Sequence, residues 1–337
     1  MAQPRMRSHP AADPFGESAG PRALRTLILL GGEFRFTADD RRLVDLVDAA
    51  FAGLPPLRLP GSLMRFDVQL RLQPGAASRG EPPVARYSSG AGLLCGTVDA
   101  GNIAVVDPVG RRAFLAISET MLRSVYHARY ELLEFATMML AARAQALVPL
   151  HGACVARNGR GLLLLGASGA GKSTLCLHSL LEGFELVSED SVFVQPATRR
   201  AVGLANFVHL RPPALRFLGA PAMASAMRES PVIRRRSGVR KFEFDVRVSP
   251  LRAASRAPFI EAVVFVTARR GRKRAELVPL DARAFATRLA RDQRYAAGQP
   301  GWRVFAAGLR GRGFELRRGA HPGESVQLLR TLLDGVP

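Results

Sequence analysis

The sequence predicts an α/β protein: a smaller N-terminal α+β region followed by a phosphate-loop (P-loop) domain built on a mixed sheet. Three observations predict it. Apolar residues recur at period two and then at helical spacing along the first 147 residues. The segment GLLLLGASGAGKSTLCLHSLLEG, residues 161–183, reads as strand, glycine loop and helix. Directly before it, Asn158-Gly159 joins two apolar runs as a hairpin signal, so the loop strand becomes the second arm of an antiparallel pair.

In chain order, residues 1–23 are polar and rich in Pro and Gly, with no apolar signal-peptide core, and predict a disordered tail. Residues 24–37 read as two short strands around Gly31-Gly32. A helix follows, with Leu43, Val44, Val47, Ala50 and Phe51 on one face and Gly53 as its stop. Met64, Phe66, Val68, Leu70 and Leu72 alternate with polar residues as a half-buried strand. Residues 73–90 have loop composition, and GLLCGTV, NIAVVD and RAFLAIS read as three further strands. Ser118 is placed to cap one long helix running through Met121, Leu132 and Leu140, and Pro149 closes that segment. The expected organisation is therefore a tail over 1–23, an α+β domain over 24–147 and a P-loop domain over 148–337.

Composition limits the function classes. The formal net charge is +20, yet only three of the 48 basic residues are lysines (Lys172, Lys241 and Lys273). Scattered arginine of this kind follows from a GC-rich coding sequence, and without a basic cluster interleaved with aromatics it argues against a nucleic-acid partner. Cys95, Cys154 and Cys176 have neither metal-ligand spacing nor an even count, which fits a reducing cytoplasm. Apolar runs such as LILL at 27–30 and LLLL at 162–165 are far short of the roughly 18 residues that a membrane helix needs.

Residues 166–173, GASGAGKS, fit GxxxxGK(S/T). Gly166, Ser168, Gly169, Ala170, Gly171, Lys172, Ser173 and Thr174 are the expected nucleotide contacts. The glycines let successive N–H groups face phosphates, Lys172 reaches the β/γ oxygens, and the Ser173 hydroxyl ligates Mg²⁺. ATP and Mg²⁺ are the expected ligands. Downstream, FELVSEDSVFV reads as one strand carrying Glu189 and Asp190, either of which could hold metal or take a proton. The hairpin also brings His151 toward the loop.

The stretch from His151 to Val194 resembles the C-terminal catalytic domain of HPr kinase/phosphorylase and the wider HPr-kinase-related proteins, which share a fold with PEP carboxykinase. His151 lies 21 residues before Lys172, and Asp190 lies 18 after it, in the register of the family's active-site histidine and proton acceptor. The resemblance implies a mixed-sheet, PEP-carboxykinase-like kinase domain acting in the cytoplasm. It makes Asp190 the base for a substrate hydroxyl, Ser173 and Glu189 the metal residues, and His151 a group beside the phosphates. Two departures stand out. Glu189 replaces an aspartate, and GLANFVHLRPPALRF lacks the family's L-E-x-R-G glutamate, so neither HPr as substrate nor the reverse reaction is implied. A catalytic arginine is sought in RRRSGVRKFEFDVRV, where Arg240 (with Lys241 as its alternative) enters a strand in which Phe242, Phe244, Val246 and Val248 alternate with charged residues. The layout of the N-terminal region fits relatives found beside peptide-modification genes. That implies a serine of a peptide or small protein as acceptor, and it admits a homo-oligomer. A nucleotide switch without transfer and a kinase of a small-molecule hydroxyl are the alternatives.

Overall fold

The computed structural model describes residues 23–75, 80–219 and 221–335. The expected tail lies outside the described residues except for Ala23, which already belongs to the first strand.

The N-terminal layer is a seven-stranded sheet. Strands β1 (Ala23–Leu29) and β2 (Gly32–Ala38) form a hairpin on Leu30 and Gly31, both at positive φ (50° and 84°), the geometry a two-residue turn demands. Helix α1 (Arg41–Phe51) is capped by Asp40, whose carboxylate accepts the Arg42 N–H at 2.8 Å. It carries the chain over to β3 (Arg65–Gln73), which is parallel to β2. Strands β4 (Arg86–Gly90), β5 (Leu93–Asp99), β6 (Asn102–Asp107) and β7 (Arg112–Ser118) then meander, and β7 closes against β3. The strand β4 falls where loop composition was read. Its five residues are all exposed, so no apolar alternation marks it.

The single helix expected after Ser118 is four pieces. Ser118 caps α2 (Glu119–Leu122), accepting the Met121 N–H at 3.1 Å. After a break come α3 (Val125–His127), a π-helical stretch over Ala128–Glu134, and α4 (Phe135–Ala144). The wider π-turn lets Arg129, Glu131 and Glu134 be buried on the same segment as Leu132 and Leu133.

The second half holds β8 (Val148–His151), β9 (Ala153–Arg157), β10 (Arg160–Leu165), α5 (Lys172–Leu181), β11 (Glu185–Ser188) and β12 (Ser191–Val194). Next are β13 (Ala201–Gly203), β14 (Phe207–Leu210), a 3₁₀ turn over Pro212–Phe217, α6 (Pro221–Glu229), β15 (Val232–Arg234), β16 (Arg240–Asp245) and β17 (Arg252–Ala253). The chain ends through β18 (Phe259–Arg270), β19 (Glu276–Pro279), α7 (Ala282–Asp292), α8 (Arg294–Ala297), α9 (Trp302–Gly308), β20 (Gly313–Arg318) and α10 (Pro322–Asp334).

The larger sheet here has the order β17-β11-β9-β10-β18-β20-β19 and is mixed: β10, β18 and β20 are parallel, while β9 is antiparallel to β10. The β9–β10 hairpin turns on Asn158 and Gly159 at positive φ, as the sequence signal requires. Sheets β13-β12-β8 and β14-β16-β15 complete the fold. The run FELVSEDSVFV is therefore two strands in different sheets, with Glu189 and Asp190 at the bend between them. The alternation after Arg240 likewise stops at Asp245, whose side chain accepts the Arg247 N–H at 2.9 Å and starts a 3₁₀ turn.

Both faces of the larger sheet are buried. Leu162, Leu164 and Val264 meet Leu177 of α5 and Leu329 of α10, while Leu163, Val263 and Phe265 join Phe285 and Leu289 on the other side. That second cluster is continuous with Phe34, Leu43, Leu140 and Leu150, so one apolar core crosses the 147/148 boundary. No helix among the described residues is long and apolar enough to cross a membrane.

Candidate functional site

Strand β10 delivers the chain to Gly166, and the loop turns through Gly166, Gly169 and Gly171 at φ of 148°, 80° and 104°. A Cβ at Gly166 would stand 2.4 Å from the Val266 carbonyl oxygen, so glycine is required there by space as well as by φ. Lys172 opens α5 and folds back over the loop, its Nζ donating to the carbonyls of Gly166 at 2.7 Å and Ala167 at 3.3 Å. Burial lowers its pKa, and the charges of Asp190 and Glu189 oppose that shift.

Beside the loop runs a buried chain of polar contacts. The Ser173 hydroxyl donates to Glu189 in a short hydrogen bond. The other oxygen of Glu189 lies 3.2 Å from His209 Nδ1, and His209 Nε2 lies 3.1 Å from Glu243. Glu243 is paired with Arg129, whose Nε lies 3.3 Å from Glu134, and Glu134 accepts from Asn206 at 3.3 Å. Burial alone would raise the carboxyl of Glu189; the hydrogen bonds of His209 and Ser173 and the charge of Lys241 hold it well below the usual range. Burial works against a charged His209, but hydrogen bonds to the carboxylates of Glu189 and Glu243 on its two nitrogens raise its pKa.

Asp190, one residue on, faces the opening. It accepts the Tyr130 hydroxyl at 3.3 Å, lies 3.5 Å from His151 Nδ1, and has Arg235 at 3.9 Å. The Arg235 guanidinium covers the Tyr130 ring at 5.0 Å. His151 ends β8 with its side chain exposed. Its backbone is fixed on both sides by Gln293, which accepts its N–H and donates to its carbonyl, each at 2.9 Å. Arg236 donates to Glu131 at 2.6 and 2.7 Å and to the carbonyls of Pro82 and Pro83, tying the loop that carries Arg235 to the N-terminal layer.

These groups line one cleft of about 600 Å³. It brings together His151, Ser168, Gly169, Gly171, Lys172, Ser173, Thr174, Glu189 and Asp190, while Gly166 and Ala170 shape the loop from beneath. Arg240 is not brought to it. In β16 alternate residues face opposite ways; Lys241 and Glu243 point to the site, and Arg240 is exposed outside the cleft lining. Lys241, the alternative to Arg240, lines the cleft, as does Arg235. Sequence reasoning also passed over Arg129, Tyr130, His209 and Glu243. The available signals were polar residues within apolar patterns: His209 between the fully buried Val208 and Leu210, and Arg129 and Glu134 beside Leu132 and Leu133.

The residues fit Mg²⁺ carried in with a nucleotide. Among the described residues no group of three or more His, Cys, Asp or Glu has the geometry of a metal cage. Mg²⁺ uses one or two protein oxygens with phosphate oxygens and water, and Ser173 with Glu189 offers such a pair.

Neither a protein-family model nor a curated protein sequence matches the chain. Among solved structures, the HPr(Ser) kinase/phosphatase from Coxiella burnetii is similar at 12% identity over 56% of this chain and 94% of that chain, with a TM-score of 0.24. A likeness that low carries no weight for chemistry. What stands on the residues themselves is a mixed α/β protein with a phosphate loop opening into a cleft that holds a carboxylate at its mouth.

Proposed function

We propose that this protein is an ATP-dependent kinase that transfers the γ-phosphoryl group to a hydroxyl, the serine of a peptide or small protein being the favoured acceptor. The observation that carries the reading is Asp190, open to the cleft one residue from Glu189, which binds the P-loop serine. In this reading the acceptor hydroxyl attacks the γ-phosphorus and its proton passes to an Asp190 oxygen. The bond from phosphorus to the β-γ bridging oxygen breaks, and ADP leaves. Lys172 and Arg235 stand near the charge that builds on the transferred group, and Tyr130 and His151 orient the Asp190 carboxylate. Ser173 and Glu189 would supply the protein oxygens for Mg²⁺, which would offset phosphate charge.

The test is transfer of labelled γ-phosphate to serine peptides and, separately, to free serine. Labelled peptide is expected with the wild type and none with Lys172→Ala. Asp190→Asn should lower kcat by about 10²–10⁴ while leaving ATP affinity intact. ATP hydrolysis with no labelled acceptor and an unchanged rate in Asp190→Asn would mean a nucleotide-driven switch instead.

A further inference from the structure

A P-loop has a direction. Its lysine serves the β/γ end, and the residues after the Ser/Thr position lie toward the α-phosphate. In this protein Asp190 and Glu189 mark the γ end of the cleft, so a nucleoside must leave past Thr174. A second cavity of about 300 Å³ opens at that point, bordered by Gly171 and Thr174, and it meets the main cleft at Arg216, Phe217 and Arg318. Its volume is at the lower end of what holds a small ligand.

The lining suits a flat heterocycle. Leu175, Val266 and Leu316 are buried apolar residues that form its floor, and the ring of Phe217 stands at its edge. His321 contributes a ring whose nitrogens are already occupied. Nδ1 accepts the Gly323 N–H at 3.0 Å, and Nε2 donates to the Phe217 carbonyl at 3.2 Å. The two rings meet edge to face at 5.8 Å, which fixes the 3₁₀ turn against the start of α10. His178 packs edge-on to both, and burial with the neighbouring His321 holds it neutral, at about 4. Aromatic and apolar faces beside a phosphate loop provide a stacking surface, and Arg216, Arg270 and Arg318 also line the cavity, the Arg216 guanidinium lying 4.6 Å over the Phe217 ring.

We infer that this cavity is the nucleoside subsite, taking a purine ring against Phe217 and His321 over the floor formed by Leu175, Val266 and Leu316. The inference rests on the nucleotide reading above and goes beyond it by naming the residues that separate a nucleoside triphosphate from a bare triphosphate.

Calorimetric titration of the full-length protein with Mg-ATP and with inorganic tripolyphosphate tests it. Phe217→Ala should weaken ATP binding ~10-fold or more and leave tripolyphosphate within about twofold. Ser325→Phe, which fills the cavity from α10, should do the same and keeps the test valid if one variant does not fold. Equal effects on both ligands, or no effect on either, overturn the subsite. Lys172→Ala should weaken both ligands together. If it weakens neither, the phosphate-loop reading falls as well, and the two failures are thereby told apart.

Discussion

His209 is buried with a carboxylate beside each ring nitrogen, Glu189 on one and Glu243 on the other. Its raised pKa means that the folded chain binds more protons than the unfolded chain above the ordinary histidine value of about 6.5. Stability from this contact is therefore complete below about pH 6.5 and is lost as pH rises through the folded value. Glu189 and Glu243 have the opposite sign. Their lowered values add stability above about pH 4.5, which is lost as pH falls. His209→Gln should cost about 3 kcal/mol in urea denaturation near pH 6, and the gap from wild type should narrow as pH is raised. A gap independent of pH would show that the histidine stays neutral in its place. The carboxylates of Glu189 and Asp190 were legible in the sequence because a fixed count from Lys172 finds them. His209 was not, since the partners that give it a role lie 20 and 34 residues away along the chain.

At the scale of elements, what the sequence made legible was local. The Asn158-Gly159 hairpin, the glycine loop leading into α5, and α1 each depend on a handful of neighbouring residues, and each stands as expected. Three features were not legible because distant chain decides them. Strand β4 is defined by pairing with β5 alone and shows no buried face. The split between β11 and β12 follows from two different partner strands, β9 and β8. The π-turn over Ala128–Glu134 accommodates ion pairs to Glu243 and Arg236, more than 100 residues downstream. Arg129 is the residue on which that turn depends, being paired with Glu243 and Glu134 and lying 4.0 Å over the Phe207 ring. Arg129→Ala removes the cation shared by the buried Glu134 and Glu243 and leaves Glu243 with His209 alone, so a loss of about 3–5 kcal/mol is expected in thermal or urea unfolding. A loss below 1 kcal/mol would mean that water replaces the guanidinium.

For the whole molecule, the N-terminal layer supplies part of the cleft wall. Tyr126, Tyr130 and Glu131 line the cleft, and the apolar core passes without interruption from Phe34 to Phe305. Residues 148–337 expressed alone should therefore fail to give a cooperative unfolding transition. In the full chain, the fluorescence of Trp302, the protein's one tryptophan, and the far-UV circular dichroism should unfold together. Separate transitions would establish two independent units.

The bend at Glu189-Asp190 has a mechanical consequence. The first residue hangs from a strand of the large sheet and the second leads into a strand of the small one, so a single peptide unit spans two layers. The distance between the Glu189 and Asp190 carboxylates is thus a gauge of how those layers are stacked. A small slip between them would reset the reach of Asp190 into the cleft without altering any side chain there.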